Sequence, residues 1–211
     1  MADISEAWTE TVEFRIRDLE GPISSNELFG NNHPVEIEIG CGKGRYLITS
    51  AETFPDINYV GVERSLHYFR IMKQRVEKRG LRNVRLLRDD AGYLVEKFLP
   101  DDSVTAYHIY FPDPWPKKRH RKRRLINPHF IGQAERTLST GGTLDLATDF
   151  QEYFEEATGL LNESKILQPT VDLPERVRLL GTGMTNFEVK YVAEGRPIYR
   201  AAYVKTGGTP C

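Results

Sequence analysis

Asp113 stands in a stretch whose residue types could do chemistry together, FPDPWPKKRHRKRR from Phe111 to Arg124. Pro112, Pro114 and Pro116 each fix their own φ and lack an N–H, so neither strand nor helix can run through them. Between them stand one carboxylate, Asp113, and one large aromatic, Trp115. Seven Lys or Arg then fill the eight positions from Lys117 to Arg124, broken only by His120. A stiff loop carrying an acid and an aromatic, beside dense positive charge, suits a planar base on a polyanion: the ring can stack and the phosphates can meet cations. The chain as a whole has a net charge of -1, so this run is a local patch and not general stickiness.

A second constellation lies upstream. Val35 to Ile39 reads as a strand running into Gly40-Cys41-Gly42-Lys43-Gly44, with a helix expected from about Arg45 to Thr53. Strand, Gly-rich turn and helix open a nucleotide-binding βαβ unit, in which the glycines let the backbone approach a ligand at the helix N-terminus. Glu63 ends the next strand, Asn58 to Val62, and stands 19 residues after Gly44, where such folds place the acid that holds ribose hydroxyls. The third glycine of a dinucleotide fingerprint would fall at Arg45. A pyrophosphate would also have to tolerate Glu38, just before the turn. A carboxylate there better suits a cation, such as the ammonium or sulfonium of S-adenosylmethionine (AdoMet). Glu38, Gly40, Gly42, Gly44 and Glu63 are therefore candidate donor-binding residues.

The elements that must position these groups follow from caps and breakers. Ser65 caps a helix to Arg79 that stops at Gly80. Val84 to Leu87 is a third strand, and Asp89-Asp90-Ala91 leads into a helix from about Gly92 to Phe98. Val104 to Phe111 is the fourth strand and delivers the proline loop. Asn127 with Pro128 starts a helix that ends before Gly141-Gly142. Thr143 to Ala147 is the fifth strand, and Asp149 sits at its turn into a helix over Phe150 to Leu161. Lys165 to Gln168 reads as a short sixth strand. Residues 169 to 184 form a loop with Pro169, Pro174, Gly181 and Gly183, and Thr185 to Glu194 a helix closed by Gly195. Ile198 to Lys205 is the last strand. Alternating strands and helices imply one α/β domain with a mainly parallel sheet and ligands at the carboxyl ends of its strands. Glu63, Asp90, Asp113 and Asp149 all fall at such ends. The expected division is a partly mobile arm over 1–34, the main domain over 35–205 and a tail over 206–211.

No stretch approaches the roughly 20 apolar residues of a membrane span. The N-terminus MADISEAWTE is acidic and lacks a signal-peptide core. Two cysteines, Cys41 and Cys211, argue against a disulfide framework and for a reducing cytoplasm. Five scattered His and two Cys give no paired ligand spacing, so no structural metal is expected.

The chain resembles the bacterial tRNA (guanine-N7-)-methyltransferases. The resemblance runs from about Val35 to Lys205 and rests on EIGCGKG (Glu38 is its first acid), GVE (Gly61 to Glu63), DDA (Asp89 to Ala91), the proline-tryptophan-basic stretch, ATDF (Ala147 to Phe150) and TNFE (Thr185 to Glu188). It implies a Rossmann-like AdoMet methyltransferase, a seven-stranded mainly parallel sheet with a reversed last strand. It also implies methyl transfer to N7 of a guanosine in the variable loop of tRNA. By that similarity Glu38, Glu63, Asp90 and Asp113 match AdoMet-contacting positions, and Asp113 the catalytic one. Lys117, Asp149, Thr185, Asn186, Phe187 and Glu188 match substrate positions. A monomer or homodimer is expected.

Simpler readings stand beside these. Asp149 could be a plain N-cap. Thr185-x-x-Glu188 is a capping box as it stands. Trp115 could pack under its loop as well as stack on a base, and the basic run could be a solvated face or a nuclear-import signal. His108 and His67 read as structural, the basic side of Arg64 to Arg82 as an exposed helix face that could also widen an RNA footprint, and Cys41 as a small loop residue. Two other functions compete: a nicotinamide-dependent oxidoreductase, disfavoured by the absent third glycine and by Glu38, and a binding module that has lost catalysis, disfavoured by the intact acids.

Overall fold

A computed structural model describes residues 11–172 and 185–207 of the 211. Pro174, Gly181 and Gly183 of the expected loop, the first ten residues of the expected arm and most of the expected tail lie outside the described residues.

Eight strands form one sheet: β1 (Glu13–Phe14), β2 (Val35–Ile39), β3 (Asn58–Val62), β4 (Val84–Leu87), β5 (Val104–Tyr110), β6 (Leu138–Thr148), β7 (Leu167–Pro169) and β8 (Tyr199–Lys205). Their order is β1-β4-β3-β2-β5-β6-β8-β7. The β1 to β6 pairings are parallel, while β8 runs antiparallel to both β6 and β7. The seven expected strands are thus joined by a two-residue edge strand. β2 and β3 are buried at every position, as strands covered on both faces must be.

The helices are α1 (Ser25–Phe29), α2 (Arg45–Thr53), α3 (Leu66–Arg79), α4 (Ala91–Phe98), α5 (Pro128–Thr137), α6 (Gln151–Asn162) and α7 (Asn186–Ala193). Their ends follow local chemistry. The Ser65 hydroxyl accepts from Tyr68 N–H, the Asn127 side chain from Phe130 N–H ahead of Pro128, and Gly80 closes α3 with φ 63°.

Residues 11 to 34, expected within the arm, carry β1, a 3-10 turn (Ile16–Asp18) and α1. Phe14, Ile16, Leu28 and Phe29 are buried in the main core, each stabilising the fold by about 1.5–3 kcal/mol. Buried Arg85 of β4 fastens this segment: its Nε donates to Leu28 O at 2.9 Å and its guanidinium lies 5.0 Å from the Phe29 ring centroid.

One boundary departs from expectation. α5 ends at Thr137 and β6 begins at once with Leu138, not at Thr143. Leu138 pairs with Val104, but Thr143 already pairs with Ala106. The extra residues of Ser139 to Gly142 bulge out of the ladder. Gly141 takes φ 80°, and a Cβ at Gly142 would fall 2.8 Å from Ser139 O. The glycine pair reads as a breaker in sequence, yet the strand passes through it.

Candidate methyl-donor and substrate site

The turn after β2 shows why its glycines alternate. Gly40, Gly42 and Gly44 have φ of 81°, 55° and 71°, a region that costs any residue with a Cβ. A Cβ at Gly44 would also fall 2.7 Å from Met72 Cγ, so α3 packs directly against the turn. The turn and the start of α2 border a cavity of about 270 Å³. Its walls include Glu38, Gly40, Gly42, Tyr46, Tyr110, Thr185, Asn186 and Phe187. The strand ends and α7, far apart in sequence, thus meet around one space.

Glu38 is buried, and its Oε2 accepts from Leu47 N–H at 3.1 Å. Burial pushes its carboxyl up to about 8, against the pull of His108 and the Leu47 N–H. Below it, buried His108 lies 2.9 Å from Glu36 Oε2 through Nε2 and 3.3 Å from Asp145 Oδ2 through Nδ1. Burial disfavours its charged form, but hydrogen bonding to Asp145 and Glu36 prevails and lifts it to about 9. The Tyr46 and Tyr110 hydroxyls each lie 3.1 Å from the ring. His108 is structural, as expected, and holds a charged floor beneath the cavity.

Glu63 binds the turn itself: Oε2 accepts from Gly42 N–H at 2.8 Å and Oε1 from Ser65 N–H at 2.7 Å. A carboxylate has about four acceptor sites, so capacity remains for ligand hydroxyls. Asp90 caps α4 through Tyr93 N–H and lies 3.5 Å from Arg64. Cys41 is buried, its Sγ 3.1 Å from Glu38 O, and burial pushes the thiol up, away from reactivity.

The proline loop leaves β5 beside this cavity. Phe111 N–H donates to Ala147 O at 2.7 Å, which ties the start of the loop to the end of β6. Phe111 and Trp115 have φ of 53° and 44°, strained for non-glycine residues, and the prolines between them help hold that geometry. Asp113 is exposed. Trp115 is half-buried, with the Arg123 guanidinium 4.9 Å from its ring centroid and His120 edge-on at 5.9 Å.

The basic run is not uniform. Lys118 to Arg123 form a 3-10 turn. Arg124, expected among the phosphate-gripping cations, is 2% exposed. It donates to Pro114 O at 2.8 Å, pairs with Glu152 at 2.9 Å and Glu156 at 2.5 Å, and lies 5.2 Å from the Tyr153 ring centroid. Arg121 reaches the same two acids. Lys117, Lys118, Arg119, Lys122 and Arg123 remain exposed.

Two simpler readings are corrected. Asp149 does not cap α6: Phe150 holds the cap position, and the Asp149 carboxylate pairs with Arg196 at 3.1 Å. Thr185 does cap α7 through Glu188 N–H at 3.0 Å, but Glu188 turns its buried carboxylate to Arg200. Phe187, Phe111 and Tyr191 bring their rings together at 5.4–6.3 Å between centroids beside the cavity. Of the expected site residues, Glu38, Gly40, Gly42, Thr185, Asn186 and Phe187 line the cavity. Gly44, Glu63, Asp90, Asp113, Lys117, Asp149 and Glu188 stand outside its walls. Tyr46, Tyr68, Tyr110 and Lys190 line it without any signal in the sequence.

A parallel sheet closed by an antiparallel strand, with a triple-glycine turn above a buried acid, defines an AdoMet-dependent methyltransferase fold. Solved structures share it: the aminoglycoside resistance methyltransferase NpmB1 superposes with a TM-score of 0.56 at 15% identity, covering 87% of this chain and 95% of its own. An AdoMet-dependent O-methyltransferase from Thermotoga maritima gives 0.53 at 18% identity, over 84% and 61%. The family described as "Putative methyltransferase" matches residues 32–201. The tRNA (guanine-N(7)-)-methyltransferase of Bacillus subtilis is 40% identical over 177 residues, 83% of each chain. That of Rhodopirellula baltica is 38% identical over 210 residues, 95% of this chain and 75% of its own. The chain belongs to the tRNA (guanine-N(7)-)-methyltransferase family.

Proposed function

We infer that this protein transfers the methyl group of AdoMet to N7 of a guanosine in tRNA, giving N7-methylguanosine. The observation that carries the reading is the proline-tryptophan-basic loop at the carboxyl end of β5, beside a cavity based on Glu38. AdoMet supplies an electrophilic methyl on a sulfonium. A buried acid beneath an open glycine cradle, where a Cβ on Gly40 would meet nothing within 4 Å, fits such a cationic ligand. Glu38 and the backbone of Gly40, Gly42 and Gly44 hold its amino-acid end, Glu63 its ribose hydroxyls and Asp90 its base.

Guanine N7 has a lone pair and no proton, so the site needs no general base. The protein's tasks are to hold the purine in line and to stabilise the cation that forms on it. Asp113, exposed on its stiff loop, serves as the catalytic carboxylate by accepting from the guanine N1–H and N2–H groups. Lys117 holds a neighbouring phosphate. Asp149, Thr185, Asn186, Phe187 and Glu188 form the substrate wall, two of its acids already oriented by Arg196 and Arg200. A base taken out of folded RNA costs a few kcal/mol, offset by stacking and backbone contacts. Residues 35–205 form the catalytic domain, and the protein acts in the cytoplasm. Among the described residues no helix is long and apolar enough to cross a membrane.

Incubation with labelled AdoMet and bulk tRNA, followed by nucleoside identification, tests the reading. Label in N7-methylguanosine is expected. Label in another nucleoside, or none from protein that binds the donor, refutes it.

A further inference from the structure

The donor cavity adjoins a second space between α2 and α3, on the β3 side of β2, while the proline loop leaves β5 on the other side. This groove, about 330 Å³, is lined by Arg45, Ile48, Thr49, Glu52, Arg75, Arg79 and Asn186, and shares Arg45 and Asn186 with the donor cavity. Its three arginines come from α2 and α3, which the Gly44–Met72 contact brings together. The Arg75 guanidinium is fixed by donating to Lys43 O at 3.0 Å, which sets it beside the glycine turn.

Charge pairing leaves this groove cationic. A chain with 30 acids and 29 Lys and Arg has carboxylates for most of its cations. The one acid of the groove, Glu52, is taken by Arg79 at 2.9 Å. Among the described residues no carboxylate comes within ion-pair distance of Lys43, Arg45 or Arg75. Across the cavity, Arg121 and Arg124 of the basic run are consumed by Glu152 and Glu156. Among the described residues unneutralised cations also lie elsewhere, at Arg70, Lys78, Arg82, Arg88 and Lys165, but two groups flank the donor cavity: Lys43, Arg45 and Arg75 on one side, and the exposed Lys117, Lys118, Arg119, Lys122 and Arg123 of the proline loop on the other. A patch with one bank would hold a strand from one side only. Two banks suit a chain whose phosphates continue past a base drawn into the cavity, where each neutralised phosphate releases counterions.

We propose that Arg45 and Arg75, with Lys43, form a second phosphate-binding bank that takes the RNA backbone on the side of the target nucleoside opposite the 117–123 run. The proposal rests on the tRNA reading above. Its chemistry is that of a polyanionic backbone: two guanidiniums along the groove and the Lys43 ammonium at the adjoining donor cavity, with no base-edge selectivity required.

The test is tRNA binding by the full chain across a salt series, with wild type, Lys117→Ala, Arg45→Gln, Arg75→Gln and the Arg45→Gln/Arg75→Gln double variant. Each Gln substitution should lower the slope of log K against log salt by about 0.7–0.9, and the double by about twice that. Arg75→Gln should leave AdoMet affinity within two-fold, because Arg75 lines only the groove. Charge reversal, Arg75→Glu, should weaken tRNA binding further than Gln at low salt. An unchanged slope in the double variant, with Lys117→Ala lowering it, overturns the second bank and spares the tRNA reading. A wild-type protein that does not bind tRNA overturns both. Arg45→Gln that weakens AdoMet binding alone, with no change of slope, assigns Arg45 to the donor and overturns its place in the bank.

Discussion

Replacing Glu38 by Gln should stabilise the protein at alkaline pH while destroying donor binding. The reason lies in the raised carboxyl. A group that titrates at 4.5 when solvated and at about 8 when folded makes the folded state hold its proton longer than the unfolded one. Stability is then full below pH 4.5 and falls as pH rises through 8. The whole displacement corresponds to about 5 kcal/mol above both values. Gln keeps the shape and can still accept the Leu47 N–H, but has no proton to lose. Allowing one fifth of the ceiling gives about 1 kcal/mol at pH 8.5, which for a chain of this size is about 2–4 °C in Tm. His108 also loses stabilising charge as pH rises through its value of about 9, so wild type alone cannot isolate Glu38. The assay is therefore thermal unfolding of wild type and Glu38→Gln from pH 5.5 to 9, with AdoMet titrated calorimetrically. The two Tm curves should draw together toward pH 5 and separate steadily up to pH 8, with wild type falling faster and no further Glu38 contribution above it. Donor binding by wild type near pH 7 should release a proton, measured from its dependence on buffer ionisation enthalpy. Parallel Tm curves, or binding without proton release, would refute the assignment of Glu38 as a buried acid held for a cation.

Three further outcomes can be checked. Asp113→Ala should abolish methylation while tRNA affinity stays within a few-fold; near-normal turnover would remove Asp113 from catalysis. Lys117→Ala should weaken tRNA binding and lower the salt slope by up to about one; an intact slope would take Lys117 off the phosphate list. Arg124→Ala removes a buried guanidinium from Pro114 O, Glu152 and Glu156, acids that stay half-exposed and within reach of Arg121, and should cost about 1–3 kcal/mol, while exposed Lys122→Ala should stay within about 0.5 kcal/mol. Equal melting of the two variants would show that Arg124 is not an internal strut.

What the sequence disclosed was chiefly local. α2 over Arg45–Thr53 and the caps at Ser65 and Asn127 appear where expected, because each is set by a few adjacent residues. The start of β6 was hidden because a Gly-Gly pair has the same appearance in a turn and in a bulge, and only the β5 partner decides between them. The sorting of the basic run was hidden for a similar reason. Nothing in KKRHRKRR marks Arg124 as the inward residue; Glu152 and Glu156, a full helix away, select it. Asp149 and Glu188 have capping chemistry in sequence, and the arginines that claim them lie past α7. Tyr46 and Tyr110 look like ordinary core aromatics, and their place in the cavity wall depends on which strand ends lie side by side.

The direction of β8 carries a consequence for how the site is completed. Because β8 is antiparallel, its first residues, Tyr199 and Arg200, pair with Thr148 and Ala147, the last of β6. A parallel final strand would begin at the opposite edge of the molecule, and α7 would have had to cross the whole sheet to enter it. The turnabout instead lets the chain pass over the ligand end twice, first to build the floor and later to lower a wall onto it. Arg196 and Arg200 arrive on that second pass, so the acids laid down earlier receive their counter-charges only when the last strand docks. Synthesis from the N-terminus therefore leaves the pocket unfinished until β8 has emerged.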